Sequence, residues 1–166
     1  MALTNRTGAV SRYGTAAGTG ALAALVLVAV AGSPAYTGWA GNHTDPNSAA
    51  GWYLRLLAWP AWRIHDGDQG GGVFAADLRA ILLVILAAAL LYVLPASQVA
   101  RVPGGFSQFF SGWAAFVLAG GLAGLLAVLL GPGPSMLGAL QAAGEGASYG
   151  FLSGWVIGVA SLGGRA

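Results

Sequence analysis

Apolar residues gather in four long stretches, with the polar ones collected between them. The first runs from Thr15 to Ala35 and centres on Ala21 to Ala31. The second begins at Asp77 or Leu78 and passes through Ile81, Leu86 and Tyr92 to Pro95. The third covers Phe106 to Leu130 and stops at Gly131-Pro132-Gly133-Pro134; the fourth follows from Ser135 to Leu162. A helix rising about 1.5 Å per residue needs about 20 apolar residues to cross a hydrocarbon layer of about 30 Å, and each stretch meets that length. None alternates with a period of two, so membrane strands are not expected. Asp77 and Ser135 are placed to cap their helices, and Pro95 to end one.

The pattern predicts an all-α, polytopic membrane protein with four transmembrane helices and an interfacial helix in the first outer loop. A tail over 1–14 precedes spans over 15–35, 77–95, 106–130 and 135–162. The outer loop, 36–76, carries the interfacial helix over 48–65. Composition agrees: 57% of residues are hydrophobic, 7% are charged, and the mean hydropathy is +0.72. Soluble domains carry about 25% charged residues, so this chain cannot clothe itself for water.

All seven cationic residues are arginines, which with the Ala and Gly richness points to a high-GC bacterial coding sequence. A formal charge of +2 without a basic run offers no nucleic-acid surface. There is no cysteine, which removes disulfides and thiol chemistry. With the N-terminus inside, Arg6, Arg12, Arg101 and Arg165 fall on the cytoplasmic side, and Arg55, Arg63 and Arg79 outside. Both ends are then cytoplasmic, in a bacterial cytoplasmic membrane. The first span has a rival reading as a cleaved signal peptide, with cleavage near Ala29-Val30-Ala31 or Ser33-Pro34-Ala35.

In the outer loop, Asp45-Pro46-Asn47-Ser48 reads as a helix start. Trp52, Leu56, Trp59 and Arg63 then recur at three- and four-residue spacing, with Trp62 beside them and Pro60 kinking or dividing the helix. Tryptophan favours the headgroup level, so Trp52, Trp59 and Trp62 are expected as interfacial anchors; a lid over a cavity is the alternative. Asp66, Asp68 and Asp77 partly fit a calcium loop, but Gly70 stands at its fifth position and Asp77 replaces the long glutamate at its twelfth. The plainer reading is a polar turn, and no metal is expected. His43 and His65 lack the spacing of a zinc pair.

The fourth stretch holds the most specific pattern. Gly138, Ala142, Gly146, Gly150, Gly154 and Gly158 recur every four residues and form a strip of small residues, a helix-packing face in lipid. Gly112, Gly120 and Gly124 of the third stretch supply a mate, and the short turn makes the two helices antiparallel neighbours. The same face could instead pair two copies. Beside it stands Glu145, an acid within a span and a candidate ion or proton site with Gln141 and Tyr149. The helix from Ser135 to Gly163 is about 42 Å long, which puts Glu145 just inside the outer boundary.

No phosphate loop, nucleophile elbow or zinc-protease motif occurs, and no enzyme or cofactor is expected. The expected function is that of a small structural, accessory or complex-forming membrane subunit that works through glycine-mediated packing with a membrane-protein partner or with itself. The alternative is a small transporter or channel component built around Glu145.

Overall fold

The computed structural model describes residues 4–63, 71–97 and 105–165, with side chains over 16–63, 74–94 and 105–164. Among them the chain is all-α, with no strand. The helices are α1 (Thr4–Ala31), α2 (Pro34–His43), α3 (Ala49–Leu57), α4 (Gly71–Ser97), α5 (Gly105–Leu129) and α6 (Met136–Leu162). Two of them, α4 over Phe74–Leu94 and α5, are long and apolar enough to cross a membrane. A third crossing results if α1 and α2, bent by 59° at Gly32-Ser33, count as one broken span. The helix α6 has the length, but Gln141, Glu145 and its serines and glycines lower its apolarity.

Helix limits follow local chemistry. Ser33, Ser48 and Ser135 cap α2, α3 and α6, accepting from the N–H groups of Tyr36, Gly51 and Gly138. Pro34 occupies the first turn of α2, where a missing donor costs nothing. The tight turn before α6 places Gly133 at φ 76°, a conformation that disfavours side chains with a Cβ.

Four expected boundaries differ. The first span is not one straight helix: α1 ends at Ala31, because the turn at Gly32-Ser33 starts a new, serine-capped helix. The outer-loop helix ends at Leu57 rather than near His65, since Pro60 cannot continue it. Asp77 caps nothing at the start of α4, which already begins at Gly71; its carboxylate instead accepts the backbone N–H of Arg63 at 2.7 Å. Pro95 falls inside the last turn of α4, which runs on to Ser97.

The long helices form a ring: α1 packs on α4 and α6, and α5 packs on the same two. Level markers fix their direction. A Cβ at Gly20 of α1 would meet Leu91 of α4 and Ser161 of α6, and one at Gly112 of α5 would also meet Ser161. At the opposite end Gly124 of α5 touches Ala142 of α6, and Gly32 touches Pro60. The helices therefore run up, down, up and down. Ala24, Val28, Leu83, Ala87, Phe116 and Ile157 fill the shared core. Leu22 and Val26 of α1, Ile81 and Ile85 of α4, Leu118 of α5 and Phe151 of α6 stand exposed on the outside.

Candidate functional site

The end of the bundle where α1 stops and α4 starts is closed by α2, α3 and the segment after them. Arg55 ties the two short helices together: its Nη2 donates to the carbonyls of Gly41 (2.9 Å) and Thr44 (2.7 Å), and its Nε to the Thr44 hydroxyl (3.0 Å). A cation on the last carbonyls of α2 is favourably placed for the helix dipole. The Tyr36 hydroxyl donates to the Leu54 carbonyl, adding a second tie. Beyond α3, the Trp62 backbone N–H donates to the Gly32 carbonyl and its indole N–H to the Val28 carbonyl. A Cβ at Gly32 would fall 2.5 Å from the Pro60 carbonyl oxygen, so this crossing requires glycine.

Along α6, Tyr53 of α3 donates its hydroxyl to the Leu152 carbonyl and accepts from the Trp155 indole N–H. Between α3 and α6 lies a cleft of about 950 Å³. Trp52, Arg55 and Leu56 contribute from α3, and Trp59 from the turn after it. Gln141, Glu145, Ser148 and Tyr149 contribute from α6, as their spacing of three or four residues requires for one helical face.

The floor of the cleft is an aromatic stack. The Trp59 and Tyr149 ring centroids are 5.0 Å apart with planes inclined by 24°, and Phe116 packs on Tyr149 at 5.9 Å. The guanidinium carbon of Arg79 lies 4.6 Å from the Trp59 ring centroid, within reach of the ring quadrupole. Gly146 makes room for the indole: a Cβ there would be 3.0 Å from Trp59 Cη2.

Polar satisfaction is poor here. Trp59 Nε1, Arg79 Nε and the Tyr149 hydroxyl are buried without hydrogen-bond partners among the described residues. The Ser153 hydroxyl, close to that of Tyr149, donates to the Tyr149 carbonyl at 2.7 Å and keeps lone pairs able to accept. Arg79 feels the charge of Glu145, yet no carboxylate among the described residues lies within ion-pair distance of it. Buried polar groups are nearly always paired, and each exception calls for a cause. Glu145 itself is exposed at the rim, as is Gln141 one turn before it.

The residues singled out in the sequence divide into two groups. Gln141, Glu145 and Tyr149 meet Trp52 and Trp59 in this cleft. Trp59 and Trp62 pack against the helices, whereas Trp52 is half exposed. The glycines lie chiefly on the seam between α5 and α6, with Gly146 reaching both the seam and Trp59. There Gly120 meets the Gly146 carbonyl, Gly124 the Ala142 carbonyl, Gly150 the Phe116 carbonyl, and Gly158 the Phe109 carbonyl. At Gly154 the neighbours are the Trp113 and Phe116 side chains. Gly138 stands apart, since a Cβ there would make only ordinary contact with Ser135 and Val128. Asp66, Asp68 and His65 lie outside the described residues, so the calcium arrangement is represented only by Asp77, which is engaged with Arg63.

Sequence reasoning missed Arg79. Read only as an arginine at the outer end of the second span, 77–95, it stands five residues into the apolar stretch Phe74–Leu94, and an arginine inside a span is itself the signal. No family model matches the chain, and neither does any curated protein or solved structure.

Proposed function

We propose that this chain is a four-span integral membrane protein, with α1, α4, α5 and α6 as spans and both ends on the cytoplasmic side of a bacterial membrane. It acts as a non-enzymatic accessory or complex-forming component, and the cleft under α3 is where it binds what it acts on. One observation carries this reading: Arg79, Trp59, Tyr149 and Glu145, drawn from three separate parts of the chain, converge at one end of an otherwise alanine- and glycine-built bundle. Unpaired polar atoms cost about 1–3 kcal/mol each when buried, so a bundle needing only stability would replace them with apolar side chains. Charged residues at membrane depth most often mark a pathway or a ligand.

Support for the membrane reading comes from the outside of the bundle. Large apolar side chains are exposed on all four long helices, including Phe151, Trp155 and Val159 of α6. In water such a belt would drive association. The glycine face is occupied within the chain by α5, so a membrane-protein partner or a second copy would have to engage this belt instead. A transporter component is the second reading, favoured by the 59° break between α1 and α2 close to the cleft, because transporters commonly build their sites from broken helices.

The absence of cysteine makes the test clean. Asn47→Cys and Gly163→Cys each introduce one thiol at an exposed position. In intact cells an impermeant maleimide is expected to label the first and to reach the second only after permeabilisation. Equal labelling of both in intact cells would remove the four-span arrangement.

A further inference from the structure

The chain leaves α1 at Gly32 and returns to the same glycine at Pro60 and Trp62. There the Trp62 backbone N–H donates to the Gly32 carbonyl at 3.0 Å and its indole N–H to the Val28 carbonyl at 3.2 Å. A Cβ on Gly32 would stand 2.5 Å from the Pro60 carbonyl oxygen, so the two arms of this crossing meet backbone to backbone. Residues 34–59, between the arms, hang on this one stem. Within that stretch the parts are tied firmly to one another: Arg55 of α3 donates to the carbonyls of Gly41 and Thr44, and Tyr36 of α2 to that of Leu54. The backbone N–H groups of Ala58 and Trp59 donate to the carbonyls of Arg55 and Leu56, so Trp59 moves with α3. The ties across to the bundle are slighter. Tyr53 donates its hydroxyl to the Leu152 carbonyl at 3.3 Å and accepts from the Trp155 indole at 3.1 Å. Leu56 and Trp59 lie against the core, with the Trp59 ring touching both Arg79 and Tyr149.

We infer that α2 and α3, with Trp59, form a rigid flap that swings on the stem at Gly32 and Pro60 and opens the cleft between α3 and α6; what the opening serves rests on reading the cleft as a binding site. Two influences oppose each other. Burial of Leu56 and Trp59, together with the Tyr53 latch, holds the flap down. In that closed state Trp59 Nε1, Arg79 Nε and the Tyr149 hydroxyl are buried without partners among the described residues, a cost that water removes once the flap lifts. A loop held by one stem and one latch belongs to the low-stability end of a fold, from which lids over binding sites are drawn. The opposite wall stays in place: Gln141, Glu145, Ser148 and Tyr149 belong to α6, which α5 grips through the glycine seam. The wall that moves carries Trp52, Arg55, Leu56 and Trp59.

The chain has no cysteine, so two nitroxide labels can be attached at chosen sites alone. Asn47→Cys marks the turn between α2 and α3, and Leu137→Cys the first turn of α6; both positions are exposed and neither lines the cleft. Pulsed electron–electron distances on the whole chain in lipid nanodiscs are expected to show a main short population, the closed flap, and a minor longer one. Tyr53→Phe deletes both bonds of the latch, and the ratio of long to short is expected to rise about fivefold, the effect of one net hydrogen bond. Tyr149→Phe removes an unpaired buried hydroxyl from the closed state and is expected to lower that ratio. If Tyr53→Phe combined with Trp59→Ala still gives only the short distance, the flap is fixed and the inference is overturned. If Tyr149→Phe leaves the ratio unchanged or raises it, the opposing pull of the unpaired atoms is overturned. No ligand enters the measurement, so a fixed flap leaves the cleft standing as a binding site, and a cleft that binds nothing leaves the flap.

Discussion

The seam between α5 and α6 and the cleft between α3 and α6 share one helix, yet they are built on opposite principles. On the seam, backbone meets backbone: Gly120 lies on the Gly146 carbonyl, and Gly150 approaches the Phe116 carbonyl so closely that a Cβ would sit 2.7 Å away. Nothing there titrates, and little could be replaced without moving a helix. On the cleft side stand large side chains with polar atoms, Trp59, Tyr149 and, behind Trp59, Arg79, and three of those atoms have no partner among the described residues. In a lipid-embedded bundle close packing holds helices together, because burying apolar surface against protein gains little over lipid. The seam follows that rule, and the cleft departs from it. That departure is what supports reading the cleft as the functional part of the molecule.

The contrast can be broken most forcefully at the seam. Gly120→Leu must push α5 away from the Gly146 carbonyl, and a loss of about 3 kcal/mol or more is expected in detergent unfolding. Gly144→Ala, on α6 with nothing within 4 Å of the new methyl, is expected to lose no stability and to gain up to about 1 kcal/mol of helix propensity. If the two variants melt together, the seam is not what holds the bundle.

A smaller effect is expected at the lid. Ser48→Ala removes the hydroxyl that accepts the Gly51 N–H at 3.0 Å, a capping loss of about 1 kcal/mol. The loosening falls on α3 alone, so hydrogen exchange is expected to rise over 49–57 and to stay unchanged in α5. Uniform exchange across both helices would show that α3 is no separate unit.

The least disturbing change is expected at Arg79. Its guanidinium has a ring contact with Trp59 but no ion pair among the described residues, so Arg79→Met exchanges about 1 kcal/mol of cation–π attraction for relief from an unpaired charge. Thermal stability is expected to move by less than about 1 kcal/mol, as read by melting in detergent. A collapse of the fold in this variant would make Arg79 structural and weaken the division between seam and cleft.

Legibility in the sequence followed the same line. The spacing of Gly146, Gly150, Gly154 and Gly158 is a property of one helix, and Gly120 and Gly124 lie just across a four-residue turn, so their meeting could be read from periodicity. The serine caps at Ser48 and Ser135 are likewise local, as is the division of the outer helix before Pro60. The cleft was only half visible. Gln141, Glu145 and Tyr149 stand out as one polar face, but the local pattern places Trp59 at the membrane interface and Arg79 only at the outer end of the second span. Each of those two is defined by a residue about twenty or ninety positions away, a separation that no local pattern records.

The amino-acid sequence by itself determined that this chain is helical, with stretches apolar enough to cross a membrane, because only backbone-satisfied helices suit so much hydrocarbon beside 7% charged residues. It also determined which helix faces are flat enough to touch. Only the tertiary structure decided that α1 breaks at Gly32, that α3 lies over α6, and that Arg79 and Tyr149 both come to Trp59. The physical reason is that capping and periodicity act within a few residues, whereas a site exists only where separate helices, brought together by packing, place their side chains in one space.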